Sequence, residues 1–288
     1  MGKLRVLLGS TTLLALVACW PASAAATPRQ TPPTPPPSTP AQAPVADEAE
    51  PVPAEPDFRL VNLPTTLWMP IKGMNFALTH RFGGNLRSGG FTHQLENLFG
   101  LDQGALIGLE FRYGIAKHVQ AIVFRTNLDK TVQFTGKWDA LRQNATRPLS
   151  LSVMVGVEGT NNFKERYQPE FGAILSHQIK DRLALYATPI YVHSSAVTAG
   201  LDDSTFFLGL GGKARLRPTV YFVAEISPRL SGYSPGETEY GFGIEKRVGG
   251  HVFQLNFSNT VGTTFAQVAR GGLGDTLYMG FNLGRKYF

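Results

Sequence analysis

The amino-acid sequence predicts an all-β protein: a transmembrane antiparallel up-and-down barrel of about twelve strands, preceded by a disordered proline-rich extension. Three observations lead to this prediction. After Lys72, apolar residues alternate with polar or small ones in segment after segment. The connections between these segments alternate between short and long, and glycine recurs on the polar face of the segments.

The first residues of the chain resemble an export signal. Lys3 and Arg5 precede an apolar run over 6–18, and Ala22-Ser23-Ala24 follows as a cleavage site. The run is too short to cross a bilayer, so residues 1–24 are predicted to be a signal peptide. Cys19 is the only cysteine, and cleavage after Ala24 removes it, whereas a lipobox-like 16–19 leaves its lipidation as an alternative.

A proline-rich stretch follows the signal peptide. Residues 25–57 contain eleven of the twenty prolines, mixed with Ala, Thr, Glu and Gln. Such a composition cannot bury a core, so we expect a disordered periplasmic spacer. It either tethers the chain to a partner in the periplasm or only separates the barrel from the cleavage site.

Period-two alternation defines the predicted strands. In 105–115, Ile107, Leu109 and Phe111 share one face, while Glu110 and Arg112 share the other. Repeated segments of this kind are typical of membrane barrels. The predicted strands are 74–82, 104–115, 119–127, 130–139, 149–158, 167–179, 183–193, 205–216, 220–229, 238–247, 251–259 and 276–288.

Loop lengths favour a membrane barrel over a soluble sandwich. Short turns are predicted at 116–118, 180–182, 217–219 and 249–250, whereas 83–103 and 260–275 are the longest connections. Short turns at one end and long loops at the other place both termini in the periplasm. The connection 139–148 is long at the short-turn end, and we expect a short helix there.

Glycines and one proline mark special positions in the strands. The polar-face glycines either permit tight curvature or clear space for an element bound in the lumen. Pro189, where the alternation changes parity, predicts a β-bulge. The polar-face glycines are Gly108, Gly114, Gly156, Gly172, Gly209, Gly211, Gly241, Gly243, Gly280 and Gly284.

Sequence pieces spread over the whole barrel region carry a family resemblance. They are Asn62-Leu63-Pro64-Thr65, Thr79-His80-Arg81-Phe82, Phe99-Gly100-Leu101-Asp102, Asp129-Lys130-Thr131, Pro189-Ile190-Tyr191-Val192-His193, Gly249-Gly250-His251-Val252-Phe253-Gln254-Leu255 and Gly280-Phe281-Asn282. From about Leu63 to Phe288 the chain resembles a domain-of-unknown-function family of bacterial outer-membrane β-barrels. The resemblance implies a barrel in the outer membrane of a Gram-negative-type bacterium and implies no activity.

The inner wall of the predicted barrel carries charges of both signs. Such charges either line a selective pore or pair with one another and close the lumen. The turn at 217–219 places Arg215 opposite Tyr221 and Lys213 opposite Val223, so Lys213 and Glu225 are diagonal neighbours. The wall charges are Glu110, Arg112, Lys137, Glu158, Glu170, Lys213, Arg215, Glu225, Glu239 and Glu245.

The barrel domain, 58–288, is predicted to begin with a docking segment, 58–72. This segment is apolar and would be costly to leave in water. Leu63, Trp68 and Ile71 are its candidate anchors, and they either plug the lumen or pack on the periplasmic rim.

No catalytic or metal constellation stands out in the sequence. His93 and Glu96 have only weak metal spacing, and Ser194 and Ser195 lack an evident acid partner. Basic residues cluster at turns, which fits headgroups better than nucleic acid. We therefore expect no enzyme activity and no cofactor. The expected partners are the lipid bilayer and, because the chain ends in Phe288, the barrel-assembly machinery.

Three hypotheses follow for function. The first is a channel or small-solute transporter, the second is a non-conducting scaffold or binding barrel, and the third is an outer-membrane lipid hydrolase. The sequence names neither a substrate nor an oligomeric state.

Overall fold

A computed structural model describes residues 55–197 and 204–288. The predicted signal peptide, Cys19 and most of the predicted spacer lie outside the described residues. Successive long strands pair antiparallel, and the first pairs with the last, so the sheet closes into a barrel. The twelve-stranded prediction is therefore confirmed.

The strand bounds lie within a few residues of those predicted. A three-residue strand, β10, pairs with β8 after Pro228 interrupts β9. The strands are β1 Met74–Asn85, β2 Ala105–Ala116, β3 Val119–Thr126, β4 Val132–Leu141, β5 Ser150–Gly159, β6 Glu165–Ile179, β7 Leu183–Val192, β8 Thr205–Arg217, β9 Val220–Ser227, β10 Arg229–Ser231, β11 Glu239–Val248, β12 His251–Ser258 and β13 Tyr278–Tyr287.

Three short α-helices lie in the described connections, together with 3₁₀ helices at Leu98–Gln103 and Leu128–Lys130. The α-helices are α1 Phe91–Glu96, α2 Thr160–Phe163 and α3 Phe265–Ala269. None of the helices in the described part of the chain has the length and apolar character to cross a membrane.

Burial along the strands is inverted relative to a soluble protein. On β2, Phe111 is 53% exposed, whereas its neighbours Glu110 and Arg112 are 1% and 2% exposed. A soluble sandwich would bury the phenylalanine and expose the charges. The apolar outer face would be costly in water and is stable in lipid, which decides between the two interpretations of the alternation.

The connections have the predicted asymmetry. At one end of the barrel, the short-turn end, adjacent strands are joined at 117–118, 180–182, 218–219 and 249–250. The opposite, long-loop end includes 86–104 and 259–277.

The exceptional connection at the short-turn end, 142–149, contains no helix, contrary to our expectation. The side chain of Gln143 holds this connection in place instead. Its Nε2 donates to the Gln178 carbonyl at 2.8 Å, and its Oε1 accepts from the Gln178 amide at 2.7 Å.

The predicted bulge at Pro189 is wrong. β6 and β7 keep one register on both sides of it, with Gly172 opposite Ile190 and Leu175 opposite Ala187. The parity of the apolar residues changes because Ile190 and Val192 face the lumen, where they belong to a buried apolar cluster. The inner wall is locally apolar there, and the strand itself is regular.

Candidate functional site: the barrel lumen

The chain before β1 folds back into the lumen as a hairpin, residues 55–70, here called the lumen hairpin. Its apex is a tight turn in which the Leu60 amide donates to the Leu63 carbonyl at 2.8 Å. Below the apex, the Thr65 amide donates to the Phe58 carbonyl at 3.0 Å, which holds the two arms together. Leu60, Val61 and Leu63 are at most 1% exposed, so the apex lies deep in the barrel.

Glu225 on β9 binds the apex of the lumen hairpin. Its carboxylate accepts three backbone N–H donors, from Val61 at 2.9 Å, Asn62 at 2.8 Å and Leu63 at 3.0 Å. Converging amides of this kind form an anion-binding nest. Here the anion is a wall side chain, so the contact fixes the apex to β9.

A second wall carboxylate binds the first arm of the hairpin. Arg59 forms an ion pair with Glu110, and its Nε lies 3.0 Å from Glu110 Oε2. Arg112 donates to the other oxygen of Glu110 at 3.1 Å. The Arg59 guanidinium also lies 4.7 Å from the centre of the Phe124 ring. The arm is therefore held by a charge-assisted network and not by apolar packing alone.

Two wall side chains bind the second arm at one carbonyl oxygen. The Leu67 carbonyl accepts from Lys137 Nζ at 2.9 Å and from Gln120 Nε2 at 3.1 Å. Beyond this point the arm leaves the lumen at the short-turn end. Trp68 is half-buried there, with its ring 4.1 Å from that of His118, and Ile71 is 54% exposed.

The three candidate anchors thus occupy different places. Leu63 lies inside the lumen, Trp68 at the mouth and Ile71 outside it. The buried segment also includes Glu55 and Asp57, which precede the predicted boundary at residue 58. Burial raises the pKa of Glu55, whose carboxylate accepts from Tyr186 Oη at 2.9 Å and from Thr66 Oγ1 at 3.2 Å.

A second insert enters from the long-loop end and carries α3. Thr264 caps this helix in a capping box with Gln267, and its hydroxyl donates to Glu158 at 3.0 Å. Val268 and Ala269 pack in the same buried apolar cluster as Leu63. Sequence analysis missed this insert, although Thr264 three residues before Gln267 is the signature of a helix start.

The lumen retains little free space between the two inserts. One cavity of about 20 Å³ lies among Arg59, Asn62, Met154 and Phe265, enough for roughly one water molecule. A larger cavity of about 380 Å³ lies at the short-turn mouth, between Trp68 and the 142–149 connection.

The predicted wall charges face the lumen, with one exception. Arg215 lies at the short-turn mouth and forms an ion pair with Asp181. Lys213 lies opposite Val223, as predicted. Its partner is nevertheless Glu245, and Glu225 binds the hairpin instead of Lys213. The buried wall charges predicted from sequence are Glu110, Arg112, Lys137, Glu158, Glu170, Lys213, Glu225, Glu239 and Glu245.

Two charged groups of the lumen wall were not predicted from the sequence. Asp139 on β4 pairs with Lys137 at 2.9 Å. Arg81 on β1 donates to Asn282 at 2.8 Å and to Asn62 of the hairpin at 3.0 Å. Both residues share the inward parity of their strands, which is the signal that could have identified them.

The other candidate sites are not assembled. Among residues 55–197 and 204–288 there is no group of three or more side chains able to hold a metal ion. His93 of α1 contacts Asn97, the C-cap residue of that helix. Ser195 Oγ lies 2.7 Å from Thr205 Oγ1.

Several solved structures are similar to this chain. The KdgM porin, solved with disordered oligogalacturonate, aligns with a TM-score of 0.49 and 6% identity over 75% of this chain and 99% of that chain. The NanC porin aligns with a TM-score of 0.48 and 9% identity over 75% of this chain and 100% of that chain. A Rhodopseudomonas blastica porin variant aligns with a TM-score of 0.34 and 11% identity over 63% of this chain and 55% of that chain. No curated protein matches the sequence.

Residues 56–287 match the sequence family described as the membrane bound beta barrel domain, DUF5777. The match covers the barrel and nearly the whole lumen hairpin. The chain therefore belongs to this family of membrane β-barrels of unknown function, as the resemblance predicted.

Proposed function

We propose that this chain is an outer-membrane channel for small polar solutes, and that its lumen hairpin closes it. One observation carries the proposal: the hairpin binds several of the buried charges of the inner wall. Glu225 and Glu110 each bind it directly. A wall of this chemistry is equally suited to water, so movement of the hairpin would leave an aqueous pore.

The energetics of buried charge support a channel over a permanently closed barrel. Buried ion pairs contribute little net stability, because desolvation offsets their attraction. Apolar side chains of similar volume would fill the lumen at no such cost. Retaining Arg59 opposite Glu110, rather than two apolar residues, is therefore better explained by a lumen that must at times be hydrated.

A non-conducting scaffold is the second candidate, and the α3 insert favours it. Val268 and Ala269 pack with Leu63, Ile190 and Phe207 in one apolar cluster inside the barrel. Apolar contacts of this kind would keep the lumen closed from the long-loop end. The hydrolase hypothesis gains no support from the comparisons.

We also propose the orientation of the barrel. The short-turn end faces the periplasm, as in outer-membrane barrels generally, and the long loops face the exterior. β13 ends at the short-turn end, and the lumen hairpin enters there too. Both termini would therefore be periplasmic.

A disulfide that locks the hairpin tests the proposal. A Cβ at position 241 would lie 3.2 Å from the Cβ of Val61, so a shift of a few tenths of an ångström gives the roughly 3.5–4.5 Å separation of a disulfide. In a Cys19→Ser background, Val61→Cys with Gly241→Cys should show fewer openings in planar bilayers when oxidised. Reduction should restore the openings of the wild type.

The two single-cysteine variants are the matched controls and should not respond to oxidation. Equal conductance of the oxidised and reduced double variant would overturn the proposal, because the conducting path would not pass the hairpin. A silent wild type together with a silent reduced variant would favour the scaffold.

A further inference from the structure

We infer that the channel selects for cations. The wall carboxylates that bind the hairpin and the α3 insert outnumber the wall cations available to neutralise them. The inference rests on the proposed channel function and names its substrate class: small cationic solutes and metal cations. It runs against the formal net charge of the whole chain, which is +6.

The wall of the lumen is acidic. Among the described strand residues with buried side chains, seven are acidic and four are basic. The acidic residues are Glu110, Asp139, Glu158, Glu170, Glu225, Glu239 and Glu245. The basic residues are Arg81, Arg112, Lys137 and Lys213.

Three of the four cations are already used by neighbours on the wall. Arg112 binds Glu110 at 3.1 Å. Lys137 binds Asp139 at 2.9 Å, and Lys213 binds Glu245 at 2.7 Å. Arg59 and the Leu67 carbonyl of the hairpin also contact Glu110 and Lys137. Both members of each pair nevertheless belong to the wall, so the pairs would persist and remain neutral when the hairpin moves.

Four carboxylates remain, and Arg81 is the one buried wall cation left for them among the described residues. Glu225 and Glu239 are bound by the hairpin, through the apex amides and through Asn62 Nδ2 at 3.1 Å. Glu158 is bound by α3, and Glu170 accepts from Gln133 Nε2 at 2.8 Å. Movement of the hairpin alone therefore exposes at least two carboxylates.

Two of these carboxylates are incompletely satisfied even in the closed lumen. Within the described residues, Oε2 of Glu170 and Oε2 of Glu239 are buried and accept no hydrogen bond. A buried carboxylate oxygen without a donor is costly, whereas water or a passing cation would satisfy it. Both oxygens would therefore gain a partner when the lumen is hydrated or holds a cation.

Basic side chains at the short-turn mouth do not reverse this balance. Arg215 is paired with Asp181, and Lys286 donates to the Pro56 carbonyl at the base of the hairpin. Arg59 belongs to the hairpin, so it moves away from the wall when the hairpin moves. In a hydrated lumen the glutamates ionise at neutral pH, and a narrow low-dielectric pore concentrates cations around them.

The experiment is a reversal-potential measurement on the full chain in planar bilayers under a KCl gradient. The wild type should be more permeable to K⁺ than to Cl⁻, and raising the salt should weaken the preference by screening. Glu225→Gln combined with Glu239→Gln should reduce the permeability ratio severalfold. Glu170→Gln, which does not touch the hairpin, should reduce it without changing the frequency of opening.

Asp275→Asn is the charge-matched control. It removes one negative charge at a side chain that is 92% exposed in a long loop, so the permeability ratio should stay that of the wild type. A conducting wild type that prefers Cl⁻, or that shows no preference, would overturn cation selectivity and leave the channel proposal intact. A wild type that shows no conductance at all would instead overturn the channel proposal.

Discussion

Lys213 Nζ lies 2.7 Å from Glu245 Oε2, and both side chains are fully buried in the lumen. The pair joins β8 to β11 across the intervening strand β9, whose inward residue Val223 lies directly opposite Lys213. This contact leaves Glu225, the diagonal neighbour of Lys213, available for the hairpin. At this part of the wall, Lys213 and Glu245 form a neutral pair, whereas Glu225 binds the inserted hairpin.

Glu225→Gln should loosen the lumen hairpin. The carboxylate accepts three amide donors, whereas a glutamine offers one acceptor oxygen and brings N–H groups toward the same donors. We expect hairpin docking to weaken by about 1–3 kcal/mol. Hydrogen exchange at Val61 and Leu63 should accelerate, and Glu165→Gln on the exposed start of β6 should leave it unchanged. Unchanged exchange in Glu225→Gln would remove Glu225 from the role of anchor.

Docking of the hairpin should depend on pH through Glu55. Burial raises the pKa of Glu55 above its ordinary value of 4.5, although Lys137 and Lys213 oppose the shift. The docked hairpin therefore holds the proton more tightly than the free one. The contribution of Glu55 to docking is fully present below pH 4.5 and is lost as the pH rises through the raised pKa.

Protease cleavage in the 55–70 segment measures this dependence. Cleavage should become faster as the pH rises through the raised pKa of Glu55, and Glu55→Gln should remove that part of the pH profile. Glu96→Gln, on the exposed helix α1, is the matched control. A Glu55→Gln profile identical to that of the wild type would show that another group is responsible.

Gly209 should be coupled to Leu63. A Cβ at position 209 would lie 2.7 Å from Leu63 Cδ1 and 2.8 Å from Cδ2, too close for van der Waals contact. Gly209→Ala should therefore raise the frequency of channel opening, and adding Leu63→Ala should relieve the clash. Gly136→Ala, where a Cβ meets nothing closer than 3.9 Å, should behave as the wild type. Additive effects of the two substitutions, without coupling, would argue against this contact.

The orientation can be tested with inserted epitope tags. Tags in the exposed parts of the two long loops, 87–93 and 273–275, should be accessible to antibody on intact cells. Tags in 180–182 or 218–219 should become accessible only after the outer membrane is permeabilised. Equal labelling of both sets on intact cells would contradict the proposed orientation.

The fold could be predicted because its signals are local. Alternation along β2 is enough to show that Phe111 and Glu110 face opposite sides, and the lengths of the connections define the two ends. The same local view explains the error at Pro189. The apolar residues Ile190 and Val192 suggest a change of parity in the sequence. In the structure they face inward and belong to a buried cluster with residues of the inserted segments.

The sequence by itself determined the number of strands, their approximate bounds and which side chains face inward, because a period of two depends only on neighbouring residues. Tertiary structure alone decided what those inward side chains bind. Val61 and Glu225 are 164 residues apart, and Lys213 and its partner Glu245 are 32 residues apart. Closure of the sheet, the position of the hairpin and the intrusion of α3 select one partner for each charge. Long-range contacts of this kind leave no periodic trace in the sequence.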